Sequence, residues 1–263
     1  MQEVALGDKI LTMPIIFGAL KFEISGLIKM MKVERIDRKG NITMYRGSIS
    51  GREVLLVKTG MGKHNAQKAA RLIVKNYSGD SSISKRMLAI GFCGATSGNL
   101  QIGDVVLYKT IKNLENIDFS KACNNINFYG SKDINCSVYI KNSCKILKVN
   151  GGTVSNVIAD SELKKNIGAK FDVQAVDMET YWIGKTMIEN NLPFYCIRAV
   201  SDSVDENIPD FLLTLFGKSI FANIFNLLFL AIKSPKKIFQ ITRAVRNMKK
   251  AKGSLTAAVM EMI

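Results

Sequence analysis

Short apolar runs alternate with longer stretches in which apolar positions recur at helical spacing, and this alternation continues to about residue 200. It predicts a strand at 12–18, a helix at 20–31, strands at 42–49 and 53–58, and a helix at 62–78 opened by Gly60-Met61-Gly62-Lys63. Strands follow at 86–92 and 103–108. The stretch 113–150, rich in Asn, Lys and Ser, reads as irregular loops and short strands. Order resumes at Gly151-Gly152-Thr153-Val154, with a short helix at 161–167, an apolar run at 173–178, a helix at 179–190 and a buried strand at 194–197 that breaks off at Ser201-Asp202. Strand alternating with helix implies an α/β fold.

The pattern changes after Pro209, and Pro235 marks a second boundary. A helix at 212–232 contains a largely apolar stretch, Ser219 to Ile232, too short for the ~20 residues that span a bilayer. A second helix, 236–252, sets Ile238, Phe239, Ile241, Ala244, Val245 and Met248 among basic positions. We therefore divide the chain into a main domain, 1–210, and a helical, basic C-terminal extension of that domain, 211–263.

Charge sharpens this division. The net charge is +15, and from Lys233 to Lys252 there are eight Lys or Arg residues and no acid. Such a balance implies a polyanionic partner. Apolar side chains beside the cations favour an anionic membrane surface, reached through 212–252, over nucleic acid, because the aromatic interleaving of a base-stacking surface is missing. The alternative is a solvated helix packed on its own domain. The N-terminus lacks a basic start followed by a long apolar core, so export is not expected. The expectation is a cytoplasmic protein able to sit on the inner face of the membrane.

Five cysteines without a CxxC pair and a single histidine, His64, argue against a zinc site and against Ser-His or Cys-His triads. Neither a metal nor an organic cofactor is expected. Cys93 reads as a small buried thiol and His64 as structural. The acids remain. Val176-Asp177-Met178-Glu179 and Arg198-Ala199-Val200-Ser201-Asp202 put Glu179 and Asp202 at the C-terminal ends of successive strands, where α/β sheets keep their chemistry. Either could instead be a helix-start acid or a turn aspartate.

These two motifs, with Gly91-Phe92-Cys93-Gly94-Ala95 running into Ser97-Gly98-Asn99-Leu100-Gln101-Ile102-Gly103-Asp104, resemble the purine-nucleoside phosphorylase and nucleosidase superfamily. The resemblance implies a three-layer α/β/α sandwich with a central mixed sheet, and a homo-oligomer. It places Asp202 at N7 of a purine, Glu179 on the ribose hydroxyls and Met178 beneath the sugar. Phe17-Gly18-Ala19-Leu20-Lys21-Phe22-Glu23 is similar to the nucleosidase opening, which makes Glu23 the base that activates water. Ser201, Phe92, Cys93, Gly94, Val157 and Ile158 complete the expected substrate site.

One departure bears on the acceptor. By the resemblance, phosphorylases and the methylthioadenosine-type nucleosidases have a Ser or Thr hydroxyl where Phe92 stands, and hexameric phosphorylases carry an arginine where this chain has Ala89. A phenyl ring cannot bind phosphate, so hydrolysis is expected over phosphorolysis, with Arg86 near enough in sequence to keep phosphate in play. An apolar Phe92, the Phe22-Glu23 pair and the basic tail resemble the hopanoid-associated branch. That resemblance implies release of adenine from a lipid-linked nucleoside, adenosylhopane. A soluble methylthioadenosine/S-adenosylhomocysteine nucleosidase is the alternative, favoured if the C-terminal helices pack back and seal a small pocket. A non-catalytic nucleoside-binding or membrane-adaptor protein is a third.

Overall fold

The computed structural model describes residues 13–77, 83–115, 125–127, 146–211 and 235–263. In chain order these form β1 (Met13–Gly18), α1 (Lys21–Met30), β2 (Lys32–Lys39), β3 (Ile42–Ile49), β4 (Arg52–Lys58), α2 (Gly62–Tyr77), β5 (Ile83–Ala95), β6 (Val105–Asn113) and β7 (Asn125–Asn127). Then come β8 (Ile146–Thr153), α3 (Ser161–Phe171), β9 (Ala175–Asp177), α4 (Thr180–Glu189), β10 (Phe194–Asp202) and a long helix, α5 (Pro235–Met262).

The strands build one mixed sheet in the order β10-β6-β8-β9-β5-β1-β4-β3-β2, with β7 beside β6. Because β10 also pairs with β5, the strands β5, β10, β6, β8 and β9 close on themselves, while β1, β4, β3 and β2 run out as an open wing. At the far edge lies β2, in which Lys32, Glu34, Arg35, Asp37, Arg38 and Lys39 make the strand almost wholly charged.

Side chains alternate between two cores with the period of a strand. Ile15, Phe17, Leu55, Val57, Met87 and Ala89 face α2 and α4. Ile16, Val54, Leu56, Leu88, Ile90 and Ile197 face α1 and α5. With both faces covered by helices, the central strands read as continuous apolar runs. The expected α/β sandwich with a mixed central sheet is therefore the observed architecture.

Several boundaries shift. The predicted strand 86–92 extends to Ile83–Ala95, and the strand predicted at 194–197 continues through Asp202, because its pairing with β5 runs on to Asp202 opposite Gly94. The strand expected from Gly151 starts at Ile146, since β8 pairs in parallel with β6 from that residue. Helix α3 reaches Phe171, where Asp172 in the left-handed region ends it. The rest of 113–150 and the predicted helix 212–232 lie outside the described residues.

The C-terminal helix also departs from its expected extent. Rather than ending at 252, it runs to Met262, and Ala251, Leu255, Ala258 and Val259 are fully buried against α1 and β10. The six positions expected to form one apolar face separate, Met248 being buried while Ile238, Phe239 and Val245 are exposed. The second half of α5 is core of the main domain, so a boundary at 211 does not separate the helix from it. No helix among the described residues is long and apolar enough to cross a membrane.

Candidate active site

The parallel strands β1, β5 and β10 lie side by side, so their C-terminal ends come together. Short β9, antiparallel to the end of β5, brings the start of α4 to the same place. A cavity of about 430 Å³ opens there. It is lined by all three predicted acids, Glu23, Glu179 and Asp202, and by each of the predicted substrate-site positions: Met178, Ser201, Phe92, Cys93, Gly94, Val157 and Ile158.

Glu23 stands in the third position of α1, where acids suit the partial positive charge of a helix N-terminus. Its Oε2 accepts the Leu20 N–H at 2.8 Å, one half of a capping box whose other half a leucine cannot supply. Oε1 reaches across to accept the Phe92 N–H at 3.0 Å. Burial pushes the carboxyl pKa up, against the lowering effect of Arg198. Space is tight: a Cβ on Gly91 would lie 2.1 Å from a terminal nitrogen of Arg198 and 2.8 Å from Glu23 Oε1, so only glycine lets both side chains approach the β5 backbone. The Phe92 ring meets Phe22 edge to face at 6.1 Å.

Glu179 precedes α4, and its Oε1 accepts the Gly62 N–H at 2.8 Å from the start of α2. Its pKa is raised to about 7 by burial, with Arg198 opposing and Asp177 and Glu23 adding to the rise. The helix itself is capped by Asp177, whose Oδ1 accepts the N–H groups of Glu179 and Thr180 at 3.0 and 2.9 Å and the Thr153 hydroxyl at 3.0 Å. Asp177 Oδ2 accepts the Thr180 hydroxyl and lies 3.3 Å from Arg198 Nε. Arg198 is 1% exposed. Burial would lower its pKa, but Asp177 and the other anionic groups raise it well above the ordinary value, so one buried cation faces Asp177, Glu179 and Glu23.

Asp202 ends β10. Its Oδ1 accepts the Ser201 hydroxyl at 3.0 Å, a group also 3.2 Å from the Cys93 carbonyl, and its Oδ2 is 2.6 Å from Lys164 Nζ. A Cβ on Gly94 would sit 2.8 Å from Asp202 Oδ2, which explains a second glycine in that turn. Burial pushes the Cys93 thiol well up, so it stays protonated and is no nucleophile.

Helix α5 supplies a further wall through Phe239, Gln240, Arg243, Ala244, Asn247 and Met248. Arg243 Nε pairs with Glu206 Oε1 at 3.2 Å across the rim. Among the described residues no cluster of His, Cys, Asp or Glu side chains is placed to hold a metal ion.

Sequence reasoning missed three contributors. Arg198 interrupts the apolar run Phe194–Val200, and a lone charge inside a buried strand signals a buried ion pair. Asp177 stands three residues before Thr180 at a strand-to-helix junction, a capping signature. Lys164 gave no signal beyond being basic in a short helix, since its partners lie 38 to 42 positions away.

A sequence model described as the phosphorylase superfamily matches residues 15–139, across β1 to the turn that carries Phe92 and beyond. Over those residues the chain is similar to the phosphorylase superfamily. Its similar relatives include the 5'-methylthioadenosine/S-adenosylhomocysteine nucleosidase of Maridesulfovibrio salexigens, 28% identical over 204 residues, covering 73% of this chain and 86% of that one. The nucleosidase of the same name from Buchnera aphidicola subsp. Baizongia pistaciae is 26% identical over 240 residues, covering 85% and 92%. Among solved structures, the Neisseria meningitidis nucleosidase of that name, in complex with methylthio-immucillin-A, superposes with a TM-score of 0.71 at 22% identity, covering 96% of this chain and 98% of that one. Futalosine hydrolase of Helicobacter pylori gives 0.69 at 14%, covering 96% and 99%. Both likenesses establish that the chain shares their fold.

Proposed function

We propose that the chain is an N-glycosyl hydrolase that releases adenine from a 5'-substituted adenosine of the methylthioadenosine/S-adenosylhomocysteine class. The observation that carries this reading is the convergence of Glu23, Glu179 and Asp202 on one cavity. Breaking an N-glycosidic bond requires charge at three points: the departing base, the oxocarbenium-like sugar and the incoming nucleophile. In this reading Asp202 faces the base, Glu179 takes the ribose hydroxyls, and Glu23 accepts a proton from water on the opposite face of the sugar. Adenine leaves with the electron pair of the broken bond and takes a proton from solvent water, Glu23 releases to solvent the proton it accepted, and the water oxygen ends on the sugar.

Water as the acceptor is supported by the cavity wall. Among the described residues its cations, Lys164 and Arg243, are each paired with a carboxylate, which leaves neither free to hold phosphate. The substrate class is supported by the named activity of the relatives and by the way α5 packs on the domain and walls the cavity, which favours a small substituent over adenosylhopane. Cytoplasmic placement and a homo-oligomer belong to the same reading.

A lipid-linked adenosine met at an anionic membrane is a second reading, favoured by one observation. Ile238, Phe239 and Val245 are exposed, Phe239 by 68%, on a stretch of α5 that also presents Arg246, Lys249 and Lys250. Adenine release from methylthioadenosine, and from an adenosine carrying a long lipid tail in anionic liposomes, separates the two. Phosphate-independent release from the short thioether is expected. Release only from the lipid, or only with phosphate, overturns the main reading.

A further inference from the structure

We propose that Lys164 is a positioning residue for Asp202, and that its charge offsets the negative charge that grows on the departing base. This rests on the reading that Asp202 faces the base.

The geometry singles out this lysine. It is 0% exposed, and its Nζ lies 2.6 Å from Asp202 Oδ2, 3.0 Å from the Ser203 carbonyl and 3.1 Å from the Glu206 carbonyl. An ammonium has three N–H donors, and all three are used. With Ser201 on Oδ1, both oxygens of Asp202 are held and the plane of the carboxylate is fixed. The same ammonium gathers the 202–206 turn onto α3, while Ile208 N–H donates to the Ala159 carbonyl, so the two segments that flank Val157, Ile158 and Asp202 are tied together.

Stability does not account for such a residue. Burying an ion pair costs the hydration of both charges, and replacing both partners together by well-packed apolar groups is often neutral or stabilising. Leu163 and Ile167, its neighbours on α3, already pack the helix on its own small core. What the ammonium supplies is charge beside a carboxylate at the cavity wall. When the glycosidic bond breaks, its electron pair moves onto the purine, and a lone carboxylate there would oppose that movement. With Lys164 the pair is neutral, and the opposition is removed. The benefit grows with charge on the base, so it belongs to the transition state more than to the bound substrate.

Steady-state kinetics on Lys164→Met test this, with Lys164→Gln as the second variant should the first not fold. Loss of one preorganised charge should lower kcat about 100-fold and leave KM within about threefold at a temperature where the variant is folded, while the unpaired Asp202 carboxylate lowers Tm. In Lys164→Ala, added ethylammonium should restore part of kcat, which a purely structural role would not allow. Wild-type kcat in Lys164→Met, or a loss that follows the fall in Tm and ignores ethylammonium, overturns the proposal. A wild-type protein that releases no adenine from any substrate sinks the hydrolase reading together with this inference; active wild type beside an equally active Lys164→Met variant sinks this inference alone.

Discussion

Glu23 and Phe92 meet through the backbone: Glu23 Oε1 accepts the Phe92 N–H at 3.0 Å, so the acid is anchored by a group that every residue but proline carries. Side-chain replacement there should be mild. Phe92→Ala is expected to keep adenine release within about tenfold of wild type, whereas Glu23→Gln, which removes a proton acceptor, should lower it by about 10³. Comparable losses in the two variants would remove Glu23 from the chemistry.

The raised pKa of Glu179 makes stability depend on pH. A carboxyl whose folded pKa is about 7 against a reference of 4.5 holds its proton more tightly when folded. Its contribution is complete below about 4.5 and is lost as pH rises through about 7. The Tm of the wild type should therefore fall over that interval, and Glu179→Gln, which keeps an oxygen for the Gly62 N–H, should flatten the fall. A variant with the wild-type pH dependence of Tm would disprove the assignment.

Arg198 is the cation against which Asp177 is buried. Arg198→Met leaves that carboxylate without its charge partner, and breaking a buried pair from one side costs about 3–5 kcal/mol. Urea unfolding should show a loss of that order. Asp177 retains the N–H groups of Glu179 and Thr180, so a smaller loss would mean that the α4 cap alone satisfies it.

The two halves of α5 should respond differently to change. Removing residues 249–263 takes out Ala251, Leu255, Ala258 and Val259, all fully buried, and the shortened chain should not fold. Phe239→Ser, at an exposed site, should shift unfolding by no more than about 0.5 kcal/mol. If that substitution also abolishes sedimentation with anionic liposomes, the membrane reading gains its anchor; unchanged sedimentation removes Phe239 from it.

The legible parts of this chain were those where a local pattern and the tertiary structure agree. Apolar runs covered on both faces gave β1, β4 and β5, and the Met178-Glu179 and Ser201-Asp202 pairs gave the end of the cavity they line. Illegible parts depended on distant partners. The pairing of β8 with β6 decides where β8 starts, and Lys164 acquires meaning only opposite Asp202. The longer α5 was hidden for another reason: Ala251, Leu255 and Ala258 are spaced as any helical face would be, and the cations before them drew attention to a surface the second half does not have.

The charged strand β2 has a consequence at the far end of the molecule from the cavity. Among the described residues, Lys32–Lys39 pairs only with β3, so its other side presents backbone groups to which another strand could add. Flat apolar edges seed sheet-to-sheet aggregation. Here six of the eight side chains carry charge, of both signs, and an incoming copy in register would set like charges side by side. Among the described residues no element covers this edge, and its own side chains keep the open wing of the sheet from growing into fibres.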